Sequence, residues 1–212
     1  MIDCHCHLAD EQFTEDIAEV VERAQRNGVR SAIVCTEYRD QFDAVLALST
    51  QFPSFCFAAF GIHPVQRNNI SARREDATSV PEYIEEHKDR IVALGEVGLD
   101  YTPRYMNTSD AKEEQAFVLK QHIDLSGKYD LPLNVHSRSA GRPTIEVLRQ
   151  NGATHVLLHA FSGNVKNARP AIEAGYYFSI PPSFTLSKEV SFIFSAYLCT
   201  YFLRIIAYRL DD

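Results

Sequence analysis

The chain begins with a short run, Asp3-Cys-His-Cys-His7, in which two kinds of metal-ligating side chain alternate. Imidazole nitrogens and cysteine sulfurs both bind metal ions. Side chains alternate between the two faces of a β-strand, so His5 and His7 share one face with Asp3, and Cys4 and Cys6 share the other. A buried free cysteine packs as a small hydrophobic residue. We therefore predict that the two histidines hold a metal ion, with Asp3 as a partner that orients them.

Three further ligand-type residues close later apolar runs of the sequence. Glu96 ends Ile-Val-Ala-Leu-Gly-Glu, His136 ends Leu-Asn-Val-His, and His159 ends Val-Leu-Leu-His. A histidine pair alone is more often a satisfied core pair or a chance spacing, but ligand-type residues at four strand ends favour a shared site. One carboxylate among several imidazoles is typical of a mononuclear or dinuclear hydrolytic centre that activates water.

Other polar residues near these strand ends are secondary candidates. His63 in Gly-Ile-His-Pro could bind a metal or, as we predict, the substrate. Glu96 and Asp100 are the predicted catalytic residues, although Asp100, four residues after Glu96, could instead orient a ligand or cap a loop. Arg138 could clamp a phosphate, although a solvated loop arginine is an equally good interpretation. Three more histidines are predicted to be structural because two fall in helices and one begins a strand: His87, His122 and His155.

The elements that must position these residues alternate regularly along the chain. Apolar or β-branched runs at 2–7, 31–35, 55–61, 91–96, 133–136, 155–159 and 176–180 are separated by segments of helical periodicity. This alternation favours a parallel sheet covered by helices. No Gly-rich phosphate loop follows the first run, which disfavours a dinucleotide-binding fold. We predict a TIM (β/α)₈-type barrel, with the polar connections 66–79 and 102–110 on the C-terminal face that normally carries the chemistry.

The bulk composition is that of an ordinary globular protein. The net charge of −7 means that a nucleic acid would have to be bound by local cations and not by a generally basic surface. Five cysteines, an odd number, and a start without a signal-peptide pattern indicate an intracellular protein. The longest apolar stretch is too short to span a bilayer. No membrane association and no protein partner is therefore expected.

Five motifs together resemble those of the TatD-family metal-dependent deoxyribonucleases, in the same order and spacing. The resemblance runs from Met1 to about Ser183 and implies a TIM barrel that hydrolyses phosphodiester bonds in DNA, in most members as an exonuclease. It implies up to two divalent cations per chain, Mg²⁺, Mn²⁺ or Zn²⁺. By the same resemblance, His5 and His7 bind the first ion, Glu96 is shared, and His136 and His159 bind the second. The motifs are Asp3–His7, Gly61-Ile-His-Pro64, Gly95–Tyr101, Val135-His-Ser-Arg138 and His159–Gly163.

The sequence departs from this family pattern after the seventh predicted strand. The resemblance implies an eighth strand with a Glu-Thr-Asp-Ser-Pro-like motif whose Asp completes the first metal site, and no such motif occurs here. We predict a barrel domain at 1–183, truncated after the seventh strand, and a divergent hydrophobic tail at 184–212. Impaired nuclease activity is then expected. The alternatives are a hydrolase for another phosphoester or an amide, and a non-catalytic or unstable isoform.

Overall fold

The computed structural model describes residues 1–179 and 181 and shows strands alternating with helices, as the sequence pattern predicts. The predicted bounds differ from the observed ones by only a few residues. The strands are β1 (Ile2–Cys6), β2 (Ser31–Cys35), β3 (Cys56–Phe60), β4 (Val65–Gln66), β5 (Ile70–Ser71), β6 (Ile91–Gly98), β7 (Leu133–His136), β8 (Val156–Leu158) and β9 (Tyr177–Phe178). The helices are α1 (Ile17–Arg26), α2 (Phe42–Gln51), α3 (Val80–His87), α4 (Ala111–Tyr129), α5 (Gly141–Gln150) and α6 (Val165–Glu173).

Seven of the strands form one curled parallel sheet of the TIM-barrel type. Their order is β1-β2-β3-β6-β7-β8-β9, so neighbours in the sheet follow one another along the chain. Within the described residues the barrel ends at this seventh strand, as predicted. The boundary predicted at residue 183 and the segment 184–212 lie outside the described residues. Parallel strands bring all their carboxyl ends to one edge, which is where ligand-type residues can meet.

Two apolar clusters fix the strands in place. The larger one lies between the sheet and the helices and includes Phe42, Phe60 and Val135, all fully buried. The smaller one contains inward-facing side chains such as Ile33 and Leu157. Strand residues alternate between the two clusters because the side-chain period of a strand is two.

Irregular strand pairing interrupts this alternation on β1 and β6, the strands that carry His5 and Glu96. The register between β1 and β2 shifts between Asp3 and Cys6. Cys4 consequently packs in the small inner cluster, whereas Cys6 contacts the larger one. The prediction that both cysteines face away from the metal-binding side is therefore wrong for Cys4, since a bulge breaks the simple period of two. The β6–β7 pair has a similar shift between Leu94 and Val97, around Glu96.

The connection predicted as polar loop at 66–79 contains more structure than expected. Val65–Gln66 and Ile70–Ser71 form a small antiparallel hairpin, and a helical turn follows at Arg74–Ala77. The Arg74 guanidinium donates to the buried Glu114 carboxylate of α4. This ion pair attaches the connection to the outside of the barrel.

The three histidines predicted to be structural all lie away from Glu96. His87 ends α3, with its ring centroid 4.4 Å from that of Tyr83. His155 directly precedes β8, at the opposite end of the strand from His159. His122 is fully buried on α4, where its Nδ1 donates to the Val118 carbonyl over 2.8 Å.

Burial of His122 is expected to make the fold sensitive to acid. Burial lowers the pKa of His122 to about 4, whereas an unfolded histidine titrates near 6.5. The unfolded chain therefore takes up this proton first, so the stabilisation is complete above about pH 6.5 and is lost as the pH falls towards about 4. Between pH 8 and pH 5, His122→Leu should lose about 2 kcal/mol less free energy of unfolding than the wild type. Urea unfolding at both pH values, with EDTA present, measures the difference, and equal losses would contradict the assignment.

Candidate metal centre

A buried carboxylate, that of Glu96, lies where the carboxyl ends of the strands converge, and its two oxygens face different histidines. Glu96 is 3% exposed. Its Oε2 lies 3.0 Å from His7 Nε2 and 3.3 Å from His5 Nε2. The two histidine Nε2 atoms are 3.1 Å apart. These three side chains form a group of ligand atoms within 4.8 Å of one another, which is the first half-site.

The other carboxylate oxygen of Glu96 faces a second set of imidazoles. Oε1 lies 2.7 Å from His136 Nδ1 and 2.9 Å from His159 Nε2. His63 Nε2 is further away, at 3.5 Å, and groups with Glu96 and His136. We call Glu96, His136 and His159 the second half-site. The predicted ligands are thus brought together around one carboxylate, and His63 lies beside them, while its role as a ligand or a substrate contact stays a prediction.

Hydrogen bonds on the far side of the His7 and His136 rings determine which nitrogen of each ring faces Glu96. His7 Nδ1 donates to the Cys35 carbonyl over 3.2 Å, and a carbonyl can only accept. His136 Nε2 faces the Asp100 carboxylate at 3.0 Å and donates to it. The other nitrogen of each ring then faces Glu96, as a proton donor in the metal-free centre and with a lone pair once a metal ion displaces that proton. Imidazole and carboxylate donors of this kind fit a divalent metal ion.

The charges at the centre suit a cation site. Burial raises the pKa of Glu96, but the surrounding histidines, first His159, outweigh it and hold that pKa well below its usual range. Burial lowers the pKa of His159 to about 3, so its ring is neutral. Burial also lowers the pKa of His7, but the hydrogen bond and charge of Glu96 outweigh it and raise the pKa to about 9, so the metal-free centre holds a proton between His7 and Glu96 that a metal ion would displace. An ionised carboxylate and a neutral imidazole are the protonation states that bind metal.

Asp100 lies behind His136 and does not face Glu96. Its fully buried carboxylate accepts from His136 Nε2, from Arg138 Nε over 2.7 Å and from the Thr102 backbone N–H over 2.9 Å. Burial raises the pKa of Asp100, but these donors outweigh it and lower the pKa. Its contacts favour the predicted alternative of a residue that orients a ligand, while a direct catalytic role stays a prediction.

The residue that orients the His5 ring is not the one predicted. Asp3 accepts a hydrogen bond from the His5 backbone N–H and does not contact the ring, so it does not orient the imidazole as predicted. Asn134 does so instead: its Oδ1 lies 3.0 Å from Nδ1 of His5 and 3.0 Å from Nδ1 of His159. The sequence signal was a polar residue inside an apolar run, two positions before His136 and therefore on the same strand face.

Comparison with known proteins identifies the family to which this chain belongs. The sequence profile of the family described as TatD related DNase matches residues 2–198. The chain belongs to the TatD-related DNase family. TATDN3 from Mus musculus is 44% identical over 193 residues, covering 89% of this chain and 66% of the mouse protein. Deoxyribonuclease TATDN3 from Homo sapiens is 43% identical, covering 89% of this chain and 70% of the human protein. This TatD chain thus spans about two thirds of the length of these relatives.

The fold agrees with a solved TatD structure. The crystal structure of the TatD homologue YjjV from Escherichia coli K12 matches with a TM-score of 0.74 and 28% identity, over 84% of this chain and 66% of that one. The TatD resemblance drawn from the five motifs is therefore confirmed, together with the barrel fold. Within residues 1–179 and 181, no helix is long and apolar enough to cross a membrane.

Proposed function

We propose that this TatD-family chain is a metal-dependent hydrolase that cleaves phosphodiester bonds in DNA, as an exonuclease. The observation that carries the proposal is the division of the Glu96 carboxylate between two sets of imidazoles. One carboxylate shared in this way is typical of a centre for up to two metal ions. The human relative that shares 43% identity is named a deoxyribonuclease, which supports DNA as the substrate.

We propose that His5, His7 and Glu96 hold one divalent cation, and that Glu96, His136 and His159 hold the other. When bound, such ions polarise a phosphoryl oxygen and make water more acidic. Imidazole-rich ligand sets suit Zn²⁺ better than Mg²⁺ or Mn²⁺, which prefer oxygen donors. The ions would also supply the local positive charge that an acidic protein lacks for binding a polyanion.

The chain's own residues would orient the ligands and bind the phosphate. Asp100 fixes the His136 ring through Nε2 and holds the Arg138 guanidinium through Nε. In the described part of the chain, the Arg138 side chain donates hydrogen bonds through Nε alone, which leaves both Nη groups for phosphate oxygens. The Arg138 side chain is 49% exposed, so a substrate can reach it.

Replacing Arg138 by glutamine is expected to weaken substrate binding without removing metal. A charge-assisted hydrogen bond contributes about 1.5–3 kcal/mol, so kcat/KM for DNA should fall roughly 10- to 100-fold. The matched control is Arg142→Gln, because Arg142 lies on α5 and lines a cavity between α5 and α6. Steady-state kinetics and bound metal per chain measure both effects. An equal loss in both variants would contradict a specific phosphate contact.

Digestion of end-labelled DNA tests the proposed function directly. Single-stranded and double-stranded substrates are incubated with Mn²⁺, Mg²⁺ or Zn²⁺, and in parallel with EDTA. Wild-type protein should release nucleotides from the ends only when metal is present, and the His5→Ala and Glu96→Ala variants should not. Equal degradation by wild type and variants would rule out this centre, and internal cuts would rule out the exonuclease mode.

We further propose that the first half-site lacks one ligand in this sequence. The described residues supply His5, His7 and Glu96, and the sequence of 212 residues contains no Glu-Thr-Asp-Ser-Pro-like motif. The 212-residue chain should then bind one ion tightly, at the second half-site, and turn over DNA more slowly than the human relative. Metal analysis after dialysis, combined with turnover, tests this. Two tightly bound ions with normal turnover would contradict it.

A further inference from the structure

We propose that Asn134 is a positioning residue that serves both half-sites at once, by fixing which ring nitrogen of His5 and of His159 carries the proton. The inference rests on the proposed metal centre and deepens it. Asn134 lies on β7 and is fully buried. It touches one predicted ligand of each half-site and neither oxygen of Glu96.

The contacts of Asn134 use its whole carboxamide. Oδ1 lies 3.0 Å from His5 Nδ1 and 3.0 Å from His159 Nδ1. Nδ2 donates to the Cys4 carbonyl over 2.7 Å. The two imidazoles that share Oδ1 are stacked, with ring centroids 3.7 Å apart and planes inclined by 18°. One amide oxygen therefore lies against two parallel rings from two different strand ends.

The orientation of the amide follows from the chemistry of its neighbours. The Cys4 carbonyl can only accept, so the NH₂ group must face it, because the reversed amide would place two acceptors together. Oδ1 must then face both imidazoles. Since an amide oxygen cannot donate, His5 Nδ1 and His159 Nδ1 both carry hydrogen.

This tautomer leaves the Nε2 lone pair of each ring for a metal ion beside opposite oxygens of Glu96, whereas in the metal-free centre the Glu96 carboxylate competes with Asn134 for the ring proton. His5 Nε2 lies 3.3 Å from Oε2, and His159 Nε2 lies 2.9 Å from Oε1. The other ligands have separate partners: the Cys35 carbonyl holds His7, and Asp100 holds His136. Asn134 is thus the support that the two half-sites have in common among the described residues.

The experiment uses two substitutions of Asn134 and one control. Asn134→Leu has a similar size and no acceptor, whereas Asn134→Asp keeps an acceptor oxygen and loses the donor to Cys4. Asp100→Ala, the control, removes a hydrogen-bond acceptor of His136, Arg138 and Thr102 and leaves the partner of His5 and His159 in place. Thermal unfolding with EDTA establishes first that each variant is folded.

The first readout needs no metal. In ¹⁵N NMR spectra of metal-free protein at pH 8, wild-type His5 and His159 should both show a population protonated at Nδ1, which Asn134 holds against the competing Glu96 carboxylate. Asn134→Leu should change the tautomer populations of both rings, and Asp100→Ala of neither. Unchanged rings in Asn134→Leu, or a change in only one of them, would overturn the inference.

The second readout is titration with Co²⁺ alone, followed by absorption. Loss of a ligand's hydrogen-bond partner typically costs 10- to 100-fold in metal affinity. Asn134→Leu should weaken every Co²⁺ binding step of the wild type by that factor, and Asn134→Asp should restore most of the affinity. If Asn134→Asp binds as weakly as Asn134→Leu, the amide acts through Cys4 and the inference fails. If wild-type protein binds no Co²⁺, the proposed metal centre itself fails, whatever the NMR spectra show.

Discussion

Replacing Glu96 by glutamine is expected to abolish tight metal binding and to lower DNA hydrolysis on the order of 10³-fold or more. The substitution keeps the size of the side chain and removes its charge. Both half-sites depend on that charge, since one carboxylate oxygen faces His5 and His7 and the other faces His136 and His159. Metal per chain after dialysis and turnover of end-labelled DNA measure the two losses.

The matched control for this substitution is Glu114→Gln. Glu114 is also a buried glutamate, 3% exposed, but it pairs with Arg74 on the outside of the barrel. This variant should lose stability and keep its metal and its turnover. If Glu96→Gln still bound metal as the wild type does, Glu96 could not be the shared ligand. Equal losses of metal in both variants would indicate a general effect of removing a buried charge.

Replacing Gly98 by alanine is expected to separate the strands that carry Glu96 and His136. Gly98 pairs with His136 across β6 and β7. A Cβ at this position would lie 2.0 Å from the His136 carbonyl oxygen, and Gly98 has a φ of 156°. Crowding and backbone strain together should lower the free energy of unfolding by roughly 2–4 kcal/mol. Since backbone atoms of β7 must move, the second half-site should also lose affinity for metal.

Gly127→Ala makes the same chemical change as Gly98→Ala but is expected to raise the free energy of unfolding instead of lowering it. Gly127 lies within α4, and a Cβ there would meet nothing within 4 Å. Alanine in a helix is more favourable than glycine by about 0.5–1 kcal/mol, so this variant should be slightly more stable. Urea unfolding and Co²⁺ titration of both variants measure the contrast. A Gly98→Ala protein with wild-type stability and affinity would show that the close approach of the two strands does not position the site.

Local sequence patterns predicted the helices and strands well, because the residues that form each pattern lie close together in the sequence. The alternation of apolar runs and helical segments gave strands and helices close to those observed. The hairpin β4–β5 was missed, since two strands of two residues leave no periodic pattern. The inward position of Cys4 was missed as well, because the shift in register on β1 depends on pairing with β2 and not on the sequence of β1 alone.

Residue types and strand ends identified the candidate ligands, but not their partners. His5, His7, Glu96, His136 and His159 converge because parallel strands share one carboxyl edge, a rule that needs no coordinates. Which atom of each side chain faces Glu96 could not be predicted, because the tautomers depend on groups far away in the sequence. Asn134, for example, is 129 residues from His5.

The sequence by itself determined the family, the barrel-type alternation and the set of metal-ligand candidates, because each of these is written in short motifs and their order. The tertiary structure alone decided how the Glu96 carboxylate is divided between the two half-sites, that Asp100 supports His136, and that Asn134 links His5 to His159. The physical reason is that a hydrogen bond requires its donor and acceptor atoms to lie about 3 Å apart. When these atoms belong to different strands, that distance depends on the register and the bulges of the sheet, which no single segment encodes.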